Sequence, residues 1–477
     1  MSLAGASAGR RAGRSAPRGP WSRRRGATVA VGVGLLAALA AVVSAAGTPP
    51  AGAAGSRNGA TPPTRHVLDN GLAVIVRERP ARGLVVVEAL VRAGLRAEAP
   101  DEAGIAALVR SLLPRGTHRR SAQEIAAAIE AAGGFLGGST VPDATSLYAV
   151  VPAARAAVAF DLVADLLANA RFDPEEVESQ RRLALARMQQ AADQPLQRAV
   201  ELSNAALYPY HPYGRPLAGT PATVSALTRD RLLAFYRAHF TASNTVVVVA
   251  GELAQADALV HARRAFGTLP AGAPPPRLRW MRAVERALAP PPVPQQVREV
   301  QATAAAWIVA AYLAVPAGHP DFAALRVLNA ILGEGAASRL WVEVRERRGL
   351  AYQVGSVLAA RAGPGFLRLV AGTDPPNLST VLAIFEAEVA RLREVAPTPD
   401  EVDLARRSIA GRSALARQDL EAEAFLLGWQ ELLGLGLDYE ARVLAQVARI
   451  TPDDVRRVAR RYLAGGVVAI VAPASAR

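Results

Sequence analysis

The sequence predicts an α+β protein made of two similar halves, each with a sheet rich in antiparallel strands and helices packed on it. The main observation is an internal duplication, in which two blocks of residues recur with nearly the same separation. Residues 173–182 match 398–407, where an acidic helix start leads to a pair of arginines. Residues 227–249 match 450–471, where a helix is followed by a valine-rich run. Two matched blocks at one spacing indicate two homologous units.

A proline-rich stretch separates the two halves. Residues 268–297 contain the sequence Ala-Pro-Pro-Pro twice, at 273–276 and at 289–292. Such a density of proline is typical of a semi-rigid linker. We therefore predict an N-terminal domain over 64–267 and a C-terminal domain over 298–477.

The first half contains the signals of both strands and helices. An Asn-Gly pair between apolar residues predicts a hairpin over 67–78, and 84–92 is rich in the β-branched residues of strands. Ser121 and Glu124 have the spacing of a capping box, so we expect a helix that begins there and stops at two consecutive glycines. A long amphipathic helix is predicted over 173–190.

The composition is that of a globular protein and excludes several kinds of site. The chain has 477 residues, of which 51% are hydrophobic and 20% charged. The formal net charge is +14, but seven arginines lie before residue 47, where no acidic residue occurs. Elsewhere arginine alternates with acidic residues along predicted helices, which is typical of a solvated face and does not favour nucleic-acid binding. The chain has no cysteine, so a metal would need histidines and carboxylates.

The N-terminal region has the features of an export signal. Residues 1–25 are basic, residues 27–46 carry no charge, and small residues at 43–45 suit a cleavage site. The uncharged run is also long enough to span a bilayer, so a cleaved signal peptide and an uncleaved membrane anchor over 1–46 both stay open. We predict a disordered linker over 47–63 and expect the rest of the chain in the periplasm or another extracytoplasmic space.

Six short segments occur along the chain in the order typical of one peptidase family. They are 68–76, 93–94, 104–106, 115–117, 211–216 and 333–340. Together they resemble the pitrilysin/insulinase family of inverted zincins, over a region from about residue 64 to the C-terminus. The resemblance implies two α/β-sandwich halves of the processing-peptidase type, similar to two-domain bacterial members that are like mitochondrial processing peptidase.

The zinc-binding motif of that family is absent. Active members carry H-x-x-E-H on a helix just after a Gly-x-Ala, which is 104–106 here, and a distal glutamate on a later helix. In that register the first histidine position is Ala107, the glutamate position is Arg110 and the second histidine position is Ser111. The distal position falls at about Arg187. The resemblance thus implies a zinc-site-deficient chain, because alanine has no lone pair, serine is a poor ligand and arginine is a fixed cation.

A second family motif is present in the other half. Arg345 and Tyr352 match the family's arginine–tyrosine pair, which faces the zinc site, binds substrate backbone and helps to stabilise the tetrahedral intermediate. Both are strong hydrogen-bond donors, which suits the negative charge that develops during peptide hydrolysis. Gly349 would let the chain turn sharply out of a helix between them. The alternative is that Arg345 is a solvated helix residue and Tyr352 packs on the face of a strand.

These motifs imply a non-catalytic subunit of a heterodimeric zinc endopeptidase, since the family includes heterodimers with the zinc motif in one chain and the arginine–tyrosine pair in the other. The expected partners are a zinc-bearing family member and a peptide or unfolded protein, with residues 27–46 as a candidate membrane tether. We expect no cofactor in this chain, and zinc in the partner.

Two other functions stay open. One is a proteolytically silent scaffold, and the other, with less support, is a self-sufficient metallopeptidase. Active relatives place an asparagine near the position of Gly137, close to the substrate strand, so the glycine here weakens the case for substrate binding in the first half.

Overall fold

Two β-sheets with helices packed against them form the protein in the computed structural model. The structure describes residues 61–273 and 295–476. The export signal or anchor predicted over 1–46 lies outside the described residues, and so does most of the linkers predicted over 47–63 and 268–297.

Twelve strands occur in the described residues. They are β1 (Thr64–Val67), β2 (Ala73–Glu78), β3 (Leu84–Val91), β4 (Phe135–Gly137), β5 (Thr140–Val141), β6 (Ala144–Pro152), β7 (Thr245–Gly251), β8 (Gln295–Val300), β9 (Ala306–Ala314), β10 (Ala351–Leu358), β11 (Gly365–Thr373) and β12 (Val467–Ala472). The first seven form one sheet in the order β1-β2-β7-β3-β6-β4, with β5 paired to β6. The last five form a second sheet in the order β10-β11-β9-β12-β8. Neighbouring strands are antiparallel except β2 with β7 and β12 with β8.

Fourteen α-helices and one π-helix surround these sheets in the described residues. The α-helices are α1 (Ile105–Leu112), α2 (Ala122–Ala131), α3 (Ala156–Ala168), α4 (Pro174–Ala192), α5 (Pro195–Leu207), α6 (Pro221–Ala226), α7 (Arg229–His239), α8 (Gln255–Phe266), α9 (Phe322–Leu332), α10 (Leu378–Glu394), α11 (Pro399–Ala416), α12 (Leu420–Leu432), α13 (Tyr439–Val447) and α14 (Pro452–Tyr462). The π-helix is Trp341–Glu346. None of the helices in this part of the chain combines the length and the apolar character needed to cross a bilayer.

The predicted α+β fold class is confirmed, and so are the individual elements. The hairpin signal forms the antiparallel pair β1–β2, and the β-branched run forms β3. Ser121 and Glu124 make the predicted capping box at the start of α2. The duplicated blocks form corresponding helices in the two halves: α4 corresponds to α11, and α7 corresponds to α14. Similar sequence patterns form similar helices because they bury the same face.

The main core of each half lies between one face of its sheet and the helices of the same half. In the first half, fully buried residues such as Val87 and Phe160 belong to this layer. In the second half, Leu369 and Phe385 occupy the corresponding layer. Side chains alternate between the two faces of a strand, so each sheet also has a second apolar face that needs cover.

The two halves cover these second faces by exchanging one helix each. α5 belongs to the first half but packs on β9 and β12, where Ala199 joins an apolar cluster with Val309. α12 belongs to the second half but packs on β3 and β7. There a Cβ on Gly428 would lie 2.3 Å from Leu90 and 3.0 Å from Val248, so the helix approaches the sheet closely. Neither sheet can therefore bury both faces without the other half.

Ion pairs reinforce both crossings. Glu423 on α12 is buried and accepts from Arg77 at 3.0 Å and Arg79 at 2.6 Å, at the end of β2. Arg198 on α5 pairs with Glu299 on β8 at 2.8 Å. Removing one partner of a buried ion pair leaves an uncompensated charge, so the Glu423 contacts fix the position of α12 on the first sheet.

A buried carboxyl lies beneath α12. Glu88 sits in the middle of β3, on the same face as Val86 and Leu90, and is 2% exposed. Burial raises the pKa of the Glu88 carboxyl well above its ordinary value, Glu421 on α12 raises it further, and a hydrogen bond with Ser146 opposes the shift. The interface between the first sheet and α12 therefore favours the protonated form of Glu88.

The close approach of α12 predicts a large effect of the Gly428→Val substitution. We expect the free energy of unfolding to fall by about 1–3 kcal/mol, because the new methyl groups enter space filled by Leu90 and Val248. Urea unfolding followed by circular dichroism measures it. Gly411→Val on α11 is the matched control, since a Cβ there meets no atom within 4 Å. Equal losses in both variants would contradict the close packing of α12.

The raised pKa of Glu88 predicts a pH-dependent gain from Glu88→Gln. Because the folded-state pKa lies above the ordinary value of 4.5, the stability linked to this group is complete below 4.5 and is lost as pH rises through the folded pKa. The glutamine variant has no group that titrates here and does not lose this stability. Its free energy of unfolding relative to the parent should therefore rise with pH, by up to about 1.4 kcal/mol per pH unit. Unfolding at about pH 5 and pH 9 measures the difference, with the exposed Glu130→Gln as control. A difference that stays constant with pH would refute the assignment.

Candidate functional site

α1 begins at a backbone position that glycine occupies without strain. Gly104 has φ +93°, and a Cβ there would lie 2.3 Å from the carbonyl oxygen of Ala218. The carboxylate of Glu98 accepts from the N–H groups of Gly104 and Ala106, at 3.1 Å each. Burial raises the pKa of Glu98 to about 7, although these two hydrogen bonds oppose the shift. The start of α1 is thus fixed by the close approach of Ala218 and by the two hydrogen bonds to Glu98.

One face of α1 carries the three positions where the family motif would lie. Ala107, Arg110 and Ser111 are half-buried, whereas Leu108 and Val109 on the other side are buried in the core. This is the geometry expected for residues three and four apart on a helix. The structure therefore places these sequence-predicted positions side by side on one surface.

Arg110 and Arg187 are electrostatic neighbours because α4 packs against α1. The Arg110 guanidinium donates to the carbonyl oxygen of Gly138 at the end of β4. Burial lowers the pKa of Arg110, and repulsion from Arg187 and Arg115 lowers it further, while Tyr148 opposes the shift. The positions predicted for the general base and for the distal ligand thus come together, but as two cations.

The residues at these positions do not fit a zinc ion. Ala107 has no donor atom, and the Ser111 hydroxyl donates to the carbonyl oxygen of Leu108 at 2.7 Å. Two guanidinium groups repel a divalent cation, where carboxylates would attract it. Elsewhere in the residues that the structure describes, no three acidic or histidine side chains are grouped closely enough to hold a metal.

An aromatic ring occupies the space beside Gly137. Gly137 on β4 lies opposite Tyr148 on β6, and a Cβ on the glycine would be 2.3 Å from Cζ of that tyrosine. An asparagine at this position could not fit unless Tyr148 moved. Burial raises the pKa of Tyr148, and the nearby Glu421 of α12, from the other half, raises it further.

Arg345 and Tyr352 are brought into direct contact. The guanidinium carbon of Arg345 lies 4.2 Å from the centre of the Trp341 ring and 4.8 Å from the centre of the Tyr352 ring. The cationic guanidinium thus lies over two aromatic rings, to which it is attracted. Gly349 has φ +60°, so the sharp turn predicted between the π-helix and β10 is present.

Tyr352 projects into solvent because β10 is irregular at this residue. Ala351 pairs with Thr373 and Gln353 pairs with Gly372, so Tyr352 is the extra residue of a bulge. Its side chain is 84% exposed. The Arg345 side chain forms no hydrogen bond or ion pair with any described residue, so its N–H groups stay available. Bulges of this kind are common where a strand must aim a side chain at a ligand.

The two sets of sequence-predicted residues remain separate within the described chain. Arg110 approaches Arg187, and Arg345 contacts Tyr352, but no hydrogen bond, ion pair or ring contact links one set to the other. The prediction from sequence missed Trp341 and Glu88. Trp341 lies one helical turn before Arg345, and Glu88 interrupts an apolar strand. Both residues could therefore have been singled out from the sequence.

Relatives from Streptomyces coelicolor and Mycobacterium tuberculosis match most of the chain. An uncharacterized zinc protease of Streptomyces coelicolor is 32% identical over 411 residues, which cover 84% of this chain and 87% of the relative. Another uncharacterized zinc protease, from Mycobacterium tuberculosis, is 32% identical over 404 residues, which cover 84% of this chain and 91% of the relative.

Solved structures match the same fold. A protease from Helicobacter pylori aligns with a TM-score of 0.80 and 20% identity, over 86% of this chain and all of the other. A peptidase M16 inactive domain from Pseudomonas fluorescens aligns with a TM-score of 0.79 and 22% identity, over 87% and 99%.

Two family models match the two halves in order. The insulinase model, peptidase family M16, matches residues 73–221, and the model for the peptidase M16 inactive domain matches residues 226–409. With relatives 32% identical over most of their length, these matches confirm the resemblance seen in the sequence. The chain belongs to the insulinase family of peptidases, family M16.

Proposed function

We propose that this chain is the non-catalytic subunit of a heterodimeric zinc endopeptidase whose zinc ion is held by a second family member. The observation that carries the proposal is the contrast between the two halves. The α1 face offers cations and an alkyl group where a metal needs donors. The half-buried Arg345 and the exposed Tyr352, in contrast, carry side-chain donors that make no hydrogen bond to the residues the structure describes. In this proposal the chain supplies hydrogen-bond donors to the substrate, and the partner supplies the zinc ion that activates water.

The chemistry of the pair suits the transition state of peptide hydrolysis. Negative charge develops on the carbonyl oxygen, and preorganised donors that meet it accelerate the reaction. The Arg345 guanidinium can donate through two parallel N–H groups, and the Tyr352 hydroxyl adds a third donor. Because Trp341 and Tyr352 already hold the guanidinium at 4.2 and 4.8 Å, little rotamer freedom is lost on binding.

The substrate in this proposal is a peptide or an unfolded protein outside the cytoplasm. Residues 1–46 support export, with a basic start followed by an uncharged run. The zinc-bearing partner is a family member with H-x-x-E-H, and zinc is its cofactor. The relatives from Streptomyces coelicolor and Mycobacterium tuberculosis are named as zinc proteases, which agrees with a role in proteolysis.

A scaffold role without any contribution to turnover is the second candidate. It is favoured by the contacts of the Arg345 guanidinium with two aromatic rings, an arrangement that also serves packing alone. Catalysis by this chain on its own lacks donor atoms at α1 and is not part of the proposal.

Purified alone, the chain should hold less than about one tenth of a zinc ion and cleave no peptide, because α1 lacks ligands. The substitutions Ala107→His, Arg110→Glu, Ser111→His and Arg187→Glu together should create a site for about one zinc per chain, if α1 and α4 keep their register. Metal analysis after dialysis measures both values.

The matched control keeps Ala107 and carries the other three substitutions. Because it lacks one ligand, it should hold much less zinc than the fourfold variant. Circular dichroism verifies that each variant is folded. One tight zinc ion in the parent chain, lost when any one of its residues is changed, would defeat the proposal.

In the reconstituted pair, Arg345→Ala should lower kcat by about 10²–10³-fold, because a donor to the developing charge is lost. Tyr352→Phe should also lower kcat while the ring stays on Arg345, since only the hydroxyl is removed. The measurement is steady-state cleavage of a fluorogenic peptide by the chain assembled with the family member of the same genome that carries H-x-x-E-H.

Arg347→Ala is the control, because Arg347 lies on the same segment, is exposed and pairs with Glu343 rather than with an aromatic ring. Size-exclusion chromatography checks that every variant still assembles. Unchanged turnover in both Arg345→Ala and Tyr352→Phe, with assembly intact, would establish the scaffold role instead.

A further inference from the structure

Three arginines surround the α1 face that would hold zinc in active family members. Arg110 lies on α1, Arg115 ends the turn that follows it, and Arg187 lies on α4, which packs against α1. Both Arg115 and Arg187 are exposed, and Arg110 is half-buried. In the described part of the chain, none of the three forms an ion pair with a carboxylate, and we call them the α1 arginine cluster.

The cluster is electrostatically unsatisfied. Its members are near enough for Arg115 and Arg187 to depress the pKa of Arg110, in addition to the effect of burial. Most other arginines of the described chain have acidic partners, as in the bond of Arg120 to Asp165 at 2.8 Å. Like charges that are close and partly desolvated cost free energy, which an anion between them would recover.

The residues of α1 beside Arg110 are small. Ala107 and Ser111 are small, so no large side chain of α1 covers Arg110. The Arg110 guanidinium uses one N–H group for the carbonyl oxygen of Gly138, which leaves other N–H groups for an incoming acceptor. A guanidinium is well matched to a carboxylate, because two parallel hydrogen bonds can form.

A strand edge lies next to the cluster. β4 is the last strand on its side of the first sheet, and it ends one residue before Gly138, the residue that accepts from Arg110. The free edge of a strand is a template for an extended peptide. A peptide that runs along this edge would carry its side chains or its terminus past the arginines.

We propose that the α1 arginine cluster is a binding site for a carboxylate of an extended peptide, so that an anion is bound where active relatives hold a cation. The carboxylate is either an acidic side chain or the C-terminal carboxylate, which share one chemistry. The inference deepens the proposed function, on which it rests for the biological role, by naming the class of peptide. Binding by this chain alone requires no partner, so its failure is distinguishable from a failure of partner-dependent proteolysis.

The test uses the full chain and three fluorescent peptides of equal length in anisotropy titrations. One has central glutamates and an amidated C-terminus, the second has glutamines in their place and an amidated C-terminus, and the third is the glutamine peptide with a free carboxylate. We expect one or both carboxylate peptides to bind at least about tenfold more tightly than the neutral peptide. Preference for the first assigns an acidic side chain, and preference for the third assigns the C-terminus.

The variants Arg110→Gln, Arg115→Gln and Arg187→Gln should each reduce this preference, and added salt should weaken binding. Arg182→Gln is the matched control, because Arg182 is exposed on the same helix as Arg187 and the substitution removes the same charge. Arg115 and Arg187 are exposed, so their variants remain informative even if Arg110→Gln fails to fold. Equal binding of all three peptides, or an equal effect of Arg182→Gln and Arg187→Gln, would overturn the proposal.

Discussion

The exchange of α5 and α12 determines how the two halves of the protein bury their sheets. Each sheet buries one face against its own helices and the other against a helix from the opposite half. Glu423 between Arg77 and Arg79 fixes one of these crossings, and the close approach at Gly428 fixes its depth. As a result the two halves share their cores, and the surfaces on either side are positioned by a single cooperative unit.

On this framework the two halves differ in chemistry although they share a fold. In the first half, α1 has a buried start at Glu98, and the positions that the sequence predicts for the zinc motif hold Ala107, Arg110 and Ser111 in place of metal donors. The second half has a guanidinium in contact with Trp341 and Tyr352, and its N–H groups make no hydrogen bond to any residue that the structure describes. The fold does not depend on metal donors at α1, because only the apolar side of this helix packs in the core.

Much of the fold could be predicted from the sequence, because its signals are local. The capping box at Ser121 and the matched starts of α4 and α11 depend on residues within one or two turns. The helix exchange could not be predicted, since the contact of Gly428 with Leu90 joins residues far apart in sequence. At the site, the absent donors followed from a motif, whereas the ring stack on Arg345 depends on a π-helix and a bulge that have no simple sequence pattern.

The reciprocal helix exchange also has an evolutionary reading. When an element of one copy completes the core of another and the reverse is also true, the arrangement is that of a domain-swapped dimer with twofold symmetry. Here the two copies are the halves of a duplicated sequence, with α5 and α12 as the swapped elements. One half on its own would expose the apolar face that α12 now covers, so it would need a second copy of itself to bury that face.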